Sequence, residues 1–335
     1  MSPPLADDPG QVVEIEEVMT PFGIAEGFGI DRSMDRTEAG ELVDVANRTG
    51  FNSARQLIVK AQELPPIEAA TGFSITGAKL SAATSAAKIQ AEIVDAGDGN
   101  SRPAIVRVDL GSDAGGSVAL QFSHGNGTVL AALRGFIAAV LVDGGVVTNV
   151  SYLPSRSNPR WSIYQNERDR LDQLRAAVAA SAKFGQFRIE GDSKTRNQMA
   201  EQLADRVRVL KGLDPTLGIY VAYAYNDAGL LYNDASLMEK VRSVWDIMRN
   251  DLEVDLFDVA MLFGSLSMSI TGSTEHIVPF IPMLSQGWTL LRVKGVPIKR
   301  ELADLRDHLK EALWTTFDDA GMTIALGVLR TDTNR

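Results

Sequence analysis

The chain contains no cysteine among its 335 residues. This absence excludes disulfides, thiolate metal sites and every mechanism that uses a cysteine nucleophile. A chain of this size without disulfides fits a reducing compartment, and its first residues lack the basic start and apolar run of a signal peptide. We therefore expect a cytoplasmic protein.

Histidine is nearly as scarce, since only His124, His276 and His308 occur. Their spacing cannot bring two imidazoles from one helix onto a zinc ion, and we expect neither a metal ion nor a cofactor. A Ser–His–Asp triad assembles only in space. A hydrolase that uses His124 or His276 at a site without a sequence motif therefore stays open.

An excess of positive charge and long apolar runs are also lacking. The net charge is −10 and the isoelectric point is about 4.9, so the chain repels phosphate backbones and no nucleic-acid partner is expected. The longest apolar run, residues 136–142, is too short to span a bilayer, and no membrane partner is expected. Hydrophobic residues make up 45% of the chain, which is typical of a globular protein.

The residues that are present predict an α+β, multi-domain chain. Residues 1–35 are rich in proline and glycine and predict a poorly ordered lead, while residues 36–66 predict a pair of short helices. Residues 72–155 predict a small antiparallel β-sandwich, because short strands with alternating polarity are separated by turn residues. Residues 160–330 predict an α-helical bundle or a degenerate helical-repeat array.

Local signals define a hairpin within the β part. Residues 136–142 are apolar, residues 146–152 are rich in β-branched side chains, and Asp143-Gly144-Gly145 lies between them. Glycine adopts the positive φ angles that a tight hairpin turn requires. The pattern therefore predicts two adjacent antiparallel strands.

In the helical part, Asp214-Pro215 predicts a helix start, because a carboxylate caps free amides and proline is tolerated in the first turn. Gly229 is a candidate end for this helix. A second helix carries an apolar face from Leu237 to Met248. Later segments also predict helices: residues 256–263, 282–291 and 302–313.

Two groups of side chains in this part are candidates for binding. Four carboxylates, Asp251, Glu253, Asp255 and Asp258, lie between predicted helices and are interpreted as helix caps, with an acidic docking patch as the alternative. Aromatic side chains recur at helical spacing, which is typical of a core, although a tyrosine-rich groove also binds peptides in helical arrays. The candidate partner-binding residues are Tyr220, Tyr223, Tyr225, Trp245 and Trp288.

Several segments resemble the non-catalytic accessory region that follows caspase-like or trypsin-like peptidase domains in bacterial conflict proteins. The most distinctive is the Pro-Met-Leu-Ser-Gln-Gly-Trp run at residues 282–288. The others, in the same order along the chain, are residues 133–136, 146–154, 213–218, 222–225, 255–262 and 313–315.

The resemblance implies a β plus α-helical region of a bacterial defence or programmed-death system. A caspase-like domain needs a histidine and a cysteine, and this chain has no cysteine, so any proteolysis must come from another polypeptide. The implied function is a non-enzymatic interaction protein: an adaptor, a regulator or a proteolytic substrate of a caspase-like or other protease encoded nearby. A helical module that senses a small ligand or a peptide is a further alternative.

Overall fold

The computed structural model describes residues 71–86, 88–100, 102–167, 171, 212–264, 277–294, 296 and 300–331. The predicted lead, the predicted helical pair and His276 lie outside the described residues.

The described residues up to Pro154 form short strands that are separated by turns. The strands are β1 (Gly72–Thr76), β2 (Leu80–Ser85), β3 (Gln90–Asp95), β4 (Ala104–Asp109), β5 (Gly115–Phe122), β6 (Gly127–Leu133), β7 (Phe136–Asp143) and β8 (Val146–Pro154). β4 has the alternating burial that the sequence predicts, and β6 is buried along its whole length.

These strands form two sheets. The five-stranded sheet has the order β3-β4-β1-β7-β8, and the three-stranded sheet has the order β2-β5-β6. All pairings are antiparallel except that of β1 with β7, in which Ser74 lies opposite Ala139. The first sheet is therefore mixed, which differs at this one pairing from the antiparallel arrangement expected.

The β7–β8 hairpin forms as the sequence predicts. Asp143 pairs with Val146 across the turn. Gly144 and Gly145 both have positive φ angles, of 57° and 79°. The turn needs glycine because a Cβ atom makes this backbone conformation costly.

Helices dominate the described residues beyond Pro154. A helical segment at residues 161–167 is followed by α1 (Pro215–Tyr232), α2 (Ala235–Leu252), α3 (Phe257–Phe263), α4 (Ser285–Val293), α5 (Arg300–Leu305) and α6 (Asp319–Thr331). Two short strands, β9 (Asp255–Leu256) and β10 (Ile277–Val278), pair in parallel beside α3.

The start of α1 follows its sequence signal. The Asp214 side chain accepts a hydrogen bond from the Thr216 amide at 3.0 Å, and Pro215 occupies the first turn. The helix continues past Gly229 to Tyr232, and Asn233 ends it in the left-handed conformation. Asparagine adopts that conformation more readily than most residues, so it replaces the expected glycine.

The helix predicted at residues 302–313 ends early. α5 stops at Leu305, and a 3₁₀ turn covers Arg306–His308. The chain beyond it is extended: Leu309 bridges to Phe317, and the Lys310 amide donates to the Thr316 carbonyl. These non-local pairings replace the helical hydrogen bonds of the predicted last turns.

The α+β class is therefore confirmed. Strand residues such as Leu130 and Val140 and helix residues such as Val221 and Ala260 belong to one buried cluster.

Every helix among the described residues is too short or too polar to cross a lipid bilayer.

Candidate functional site

A wholly buried carboxylate lies where α1, α3 and the start of α4 meet. Asp258 has no exposed surface. One of its oxygens accepts hydrogen bonds from the Tyr223 hydroxyl at 2.7 Å and the Leu284 amide at 3.2 Å. Its other oxygen accepts from the Met283 amide at 2.7 Å. Asp258, Tyr223 and the two amides are called the buried carboxylate cluster below.

The electrostatics of this cluster follow from its burial. Removal from water raises the pKa of the Asp258 carboxyl from 3.8 to about 6, while the hydrogen bonds from Met283, Tyr223 and Leu284 favour the ionised form and limit the rise. Burial and the nearby Asp258 charge raise the pKa of the Tyr223 hydroxyl. Tyr223 therefore remains protonated and able to donate.

Thr315 holds the 282–288 segment from its other side. The Thr315 amide donates to the Met283 carbonyl at 2.8 Å. The Thr315 hydroxyl donates to the Pro282 carbonyl at 2.8 Å and accepts from the Trp288 indole at 3.0 Å. All these groups are buried, so the segment has protein hydrogen-bond partners on both sides instead of water.

The same contacts reach both sheets. The Thr128 hydroxyl in β6 donates to the Thr315 carbonyl at 2.6 Å. The Val147 amide in β8 donates to the Thr316 hydroxyl at 3.0 Å. Phe317 and Gly127 exchange backbone hydrogen bonds of 2.8 and 3.0 Å. Residues 313–317 thus join the helical part to the β part.

β8 is also joined directly to α1. The Tyr152 amide donates to the Asp214 carboxylate at 3.1 Å, and the Tyr152 hydroxyl donates to the Ala131 carbonyl at 2.6 Å. The resembling segments therefore contact one another in the core. In order, the segments in these contacts are residues 146–154, 213–218, 222–225, 255–262, 282–288 and 313–315.

The structure places four of the five candidate partner-binding residues in this core. Tyr220, Tyr223, Tyr225 and Trp288 are at most 3% exposed. Tyr220 contacts Trp314 edge to face at 5.8 Å, and Trp288 contacts the Phe317 ring at 5.7 Å in the same way. Their side chains offer no surface to a partner in this structure, and packing is the role that their contacts support.

The fifth candidate, Trp245, lies at the surface. Its ring is partly buried and stacks on Phe263 with centroids 4.7 Å apart. The Arg249 guanidinium lies 5.1 Å from the Trp245 ring, and that of Arg242 lies 5.9 Å from the Phe263 ring. We call Arg242, Trp245, Arg249 and Phe263 the arginine–aromatic surface.

Three of these residues carry a signal that was available in the sequence. Positions 242, 245 and 249 have the three- and four-residue spacing of one helix face. Phe263 comes from α3 and has no such local signal. Sequence reasoning identified Trp245 and missed the two arginines because charged residues at this spacing usually form a solvated face.

The four clustered carboxylates have separate surroundings. Asp251 pairs with Arg160 at 2.9 Å, and Asp255 lies 3.8 Å from Arg249. Glu253 follows the end of α2 in the left-handed conformation. Asp258 lies in the first turn of α3 and binds the 282–288 segment, but α3 begins at Phe257 with no side-chain cap, so the capping interpretation is wrong for this helix.

The two described histidines have structural contacts. His124 lies in the turn between β5 and β6, and its ring stacks on Phe122 at 5.8 Å. His308 Nδ1 lies 3.1 Å from an Asp318 oxygen, which also accepts from the Gly321 amide at the start of α6. The contacts described for His124 are thus those of ring packing, and those of Asp318 are those of a helix cap. Neither contact requires a hydrolase site.

No three histidine or carboxylate side chains within the described ranges form a group suited to a metal ion. Comparisons of the chain with protein-family models, with curated proteins and with solved structures found nothing that matches.

Proposed function

We propose that this chain is a cytoplasmic, non-enzymatic interaction protein that binds another protein through the arginine–aromatic surface. Its partner is a protease of a bacterial defence or cell-death system, for which the chain is an adaptor, a regulator or a substrate. In the same proposal, residues 72–155 form a sandwich and the helices form a bundle that presents this surface.

The observation that carries the proposal is the composition and exposure of that surface. The side chains of Arg242 and Arg249 are 54% and 51% exposed, although each lies near an aromatic ring. Arginine and tryptophan are the residues most enriched at the centres of protein interfaces. The rings also limit the freedom of the guanidinium groups, so less conformational entropy is lost when a partner binds.

The Trp245 indole adds support. Its nitrogen is buried and has no hydrogen-bond acceptor among the residues that the structure describes. An unpaired buried donor costs about 1–3 kcal/mol. A small shift of the Trp245 side chain on binding would let this donor reach an acceptor of the partner.

The link to a protease rests on the resemblance. The resembling segments contact one another in the core, which is what a shared fold would require. They do not include Arg242, Trp245 or Arg249, so the identity of the partner and the surface that binds it are separate parts of the proposal.

The test is co-expression of the full chain with each protein encoded beside its gene, followed by quantitative affinity capture. We expect the wild-type chain to retain one neighbouring protease or to be cut by it at a defined bond. The double variant Arg242→Glu, Arg249→Glu should reduce capture at least tenfold, because it reverses two charges at the centre of the surface.

The matched control is Arg156→Glu, which reverses an exposed arginine in the turn after β8. This variant should bind like the wild type and melt at a similar temperature. Because Arg249 also lies near the mostly buried Asp255, capture by the double variant is measured at a temperature at which its melting curve shows it to be folded. Undiminished capture by the double variant would overturn the surface, and neither a complex nor a cut with any neighbour would overturn the protease link.

A further inference from the structure

The hydrogen bonds of Asp258 tie three parts of the chain together. Its carboxylate lies on α3, the Tyr223 hydroxyl belongs to α1, and the Met283 and Leu284 amides precede α4. No lysine, arginine or histidine among the described residues forms an ion pair with this carboxylate. Within the described ranges, the charge of Asp258 is therefore balanced by dipoles and not by a cation.

The ionisable groups that the structure describes around Asp258 do not supply a compensating cation. Tyr223 contacts it from α1. Burial, the Asp214 charge and, to a smaller extent, the Asp258 charge raise the pKa of the Tyr152 hydroxyl in β8. Further along α1, Asp227 accepts a hydrogen bond from the Gln286 side chain of α4 at 2.8 Å. The amine of Lys294 donates to the Leu262 carbonyl at 3.1 Å.

We propose that Asp258 is a proton-controlled latch, in which uptake of one proton by its carboxyl group tightens the docking of the 282–288 segment against α1 and α3. The element it controls is this segment, together with residues 313–317, which pair with it. In the open arrangement, the segment separates locally and Asp258 reaches water.

The direction follows from proton linkage. In the closed arrangement the pKa of Asp258 is raised to about 6, whereas in water a carboxyl of this type titrates at 3.8. The closed arrangement therefore binds the proton more tightly, and its stability is greatest below about pH 4. The added stability is lost as the pH rises through about 6, so the latch is loosest at neutral pH.

The size of the effect follows from the same two values. The difference between 3.8 and about 6 corresponds to about a hundred-fold change in the equilibrium between closed and open arrangements. The change is confined to the interval between these pKa values. Above about pH 7, the equilibrium no longer depends on this group.

The geometry explains why both protonation states fit. When Asp258 is ionised, all three donors have an acceptor, but a charge is buried. When the oxygen facing Tyr223 is protonated, the direction of their hydrogen bond reverses: the carboxyl donates and the Tyr223 hydroxyl accepts, while the other oxygen keeps the 2.7 Å bond from Met283. The longer bond from Leu284, at 3.2 Å, is the one that weakens.

The test is native-state hydrogen exchange on the full chain between pH 4.5 and 7.5, with rates corrected for intrinsic exchange. In the wild type, protection of peptides covering residues 282–288 and 313–317 should fall at least tenfold as the pH rises through about 6. Peptides from the β7–β8 hairpin are the internal reference and should not follow this profile.

Two variants separate the latch from other titrating groups. Asp258→Asn cannot titrate and, like the protonated carboxyl, carries no charge, so the protection of residues 282–288 should be higher than in the wild type at pH 7.5 and should lose its pH dependence. Tyr223→Phe removes a donor that favours the ionised form, so the midpoint should move to higher pH. A wild-type profile that is flat, or a ¹³C titration of the Asp258 carboxyl with its midpoint near 4, would overturn the proposal.

Discussion

The buried carboxylate cluster and the arginine–aromatic surface use polar side chains in opposite ways. Asp258 has no exposed surface and depends on protein donors, whereas Arg242 and Arg249 are about half exposed and remain in contact with water. A buried donor that loses its acceptor stays unpaired, while an exposed one binds water. The first region should therefore govern stability, and the second can change with little effect on the fold.

The largest effect should come from Asp258→Ala. The change leaves the Tyr223 hydroxyl and the amides of Met283 and Leu284 without an acceptor. We expect the free energy of unfolding to fall by about 3–5 kcal/mol, measured by urea denaturation at pH 7.

The matched control is Asp251→Ala. Asp251 pairs with Arg160 at 2.9 Å, but both side chains are partly exposed, at 33% and 28%. Water replaces the lost partner, so the cost should stay below about 1 kcal/mol. Equal losses in the two variants would contradict the distinction between the regions.

Thr315→Val should produce the next largest effect. The substitution keeps the side-chain shape but removes the hydroxyl that bonds Pro282 and Trp288. Leaving a buried carbonyl and a buried indole unpaired should cost about 2–4 kcal/mol in thermal or urea unfolding. Thr323→Val, at an exposed hydroxyl that bonds the Asp319 carbonyl within α6, should cost less than about 0.5 kcal/mol.

A pair of glycines tests the packing beside the cluster. A Cβ at Gly287 would lie 2.5 Å from the Tyr223 hydroxyl and 2.6 Å from Pro282, so Gly287→Ala should destabilise by about 1–3 kcal/mol. A Cβ at Gly327 in α6 meets nothing within 4 Å, so Gly327→Ala should stabilise by about 0.5–1 kcal/mol. Opposite shifts in melting temperature are the expected result.

The sequence predicted those elements whose signals are local. Asp143-Gly144-Gly145 set the β7–β8 turn, and Asp214-Pro215 set the start of α1, because turn and cap preferences act within a few residues. The end of the helix predicted at 302–313 was wrong. Residues 309–317 exchange helical hydrogen bonds for pairings with distant segments, which no local pattern contains.

In the candidate site, too, residues with a local signal could be identified from the sequence, whereas contacts between distant residues could not. The carboxylates at 251–258 were interpreted as helix caps, but the structure has Asp258 inside the first turn of α3, which has no side-chain cap. Its partners at Met283 and Leu284 could not be predicted, because they are amides 25 and 26 residues away. Trp245 was a candidate by residue type, but its stacking on Phe263 depends on how α2 packs against α3.

The smallest effect on stability should come from the arginine–aromatic surface. Arg242 is 3.5 Å from Glu239 and 3.9 Å from Asp246, and all three side chains are more than half exposed. Because exposed ion pairs and cation–π contacts contribute little, Arg242→Ala should cost less than about 1 kcal/mol in urea denaturation. A loss of 3 kcal/mol or more, on the scale of a broken buried contact, would assign this arginine to the core and remove the basis for an interface here.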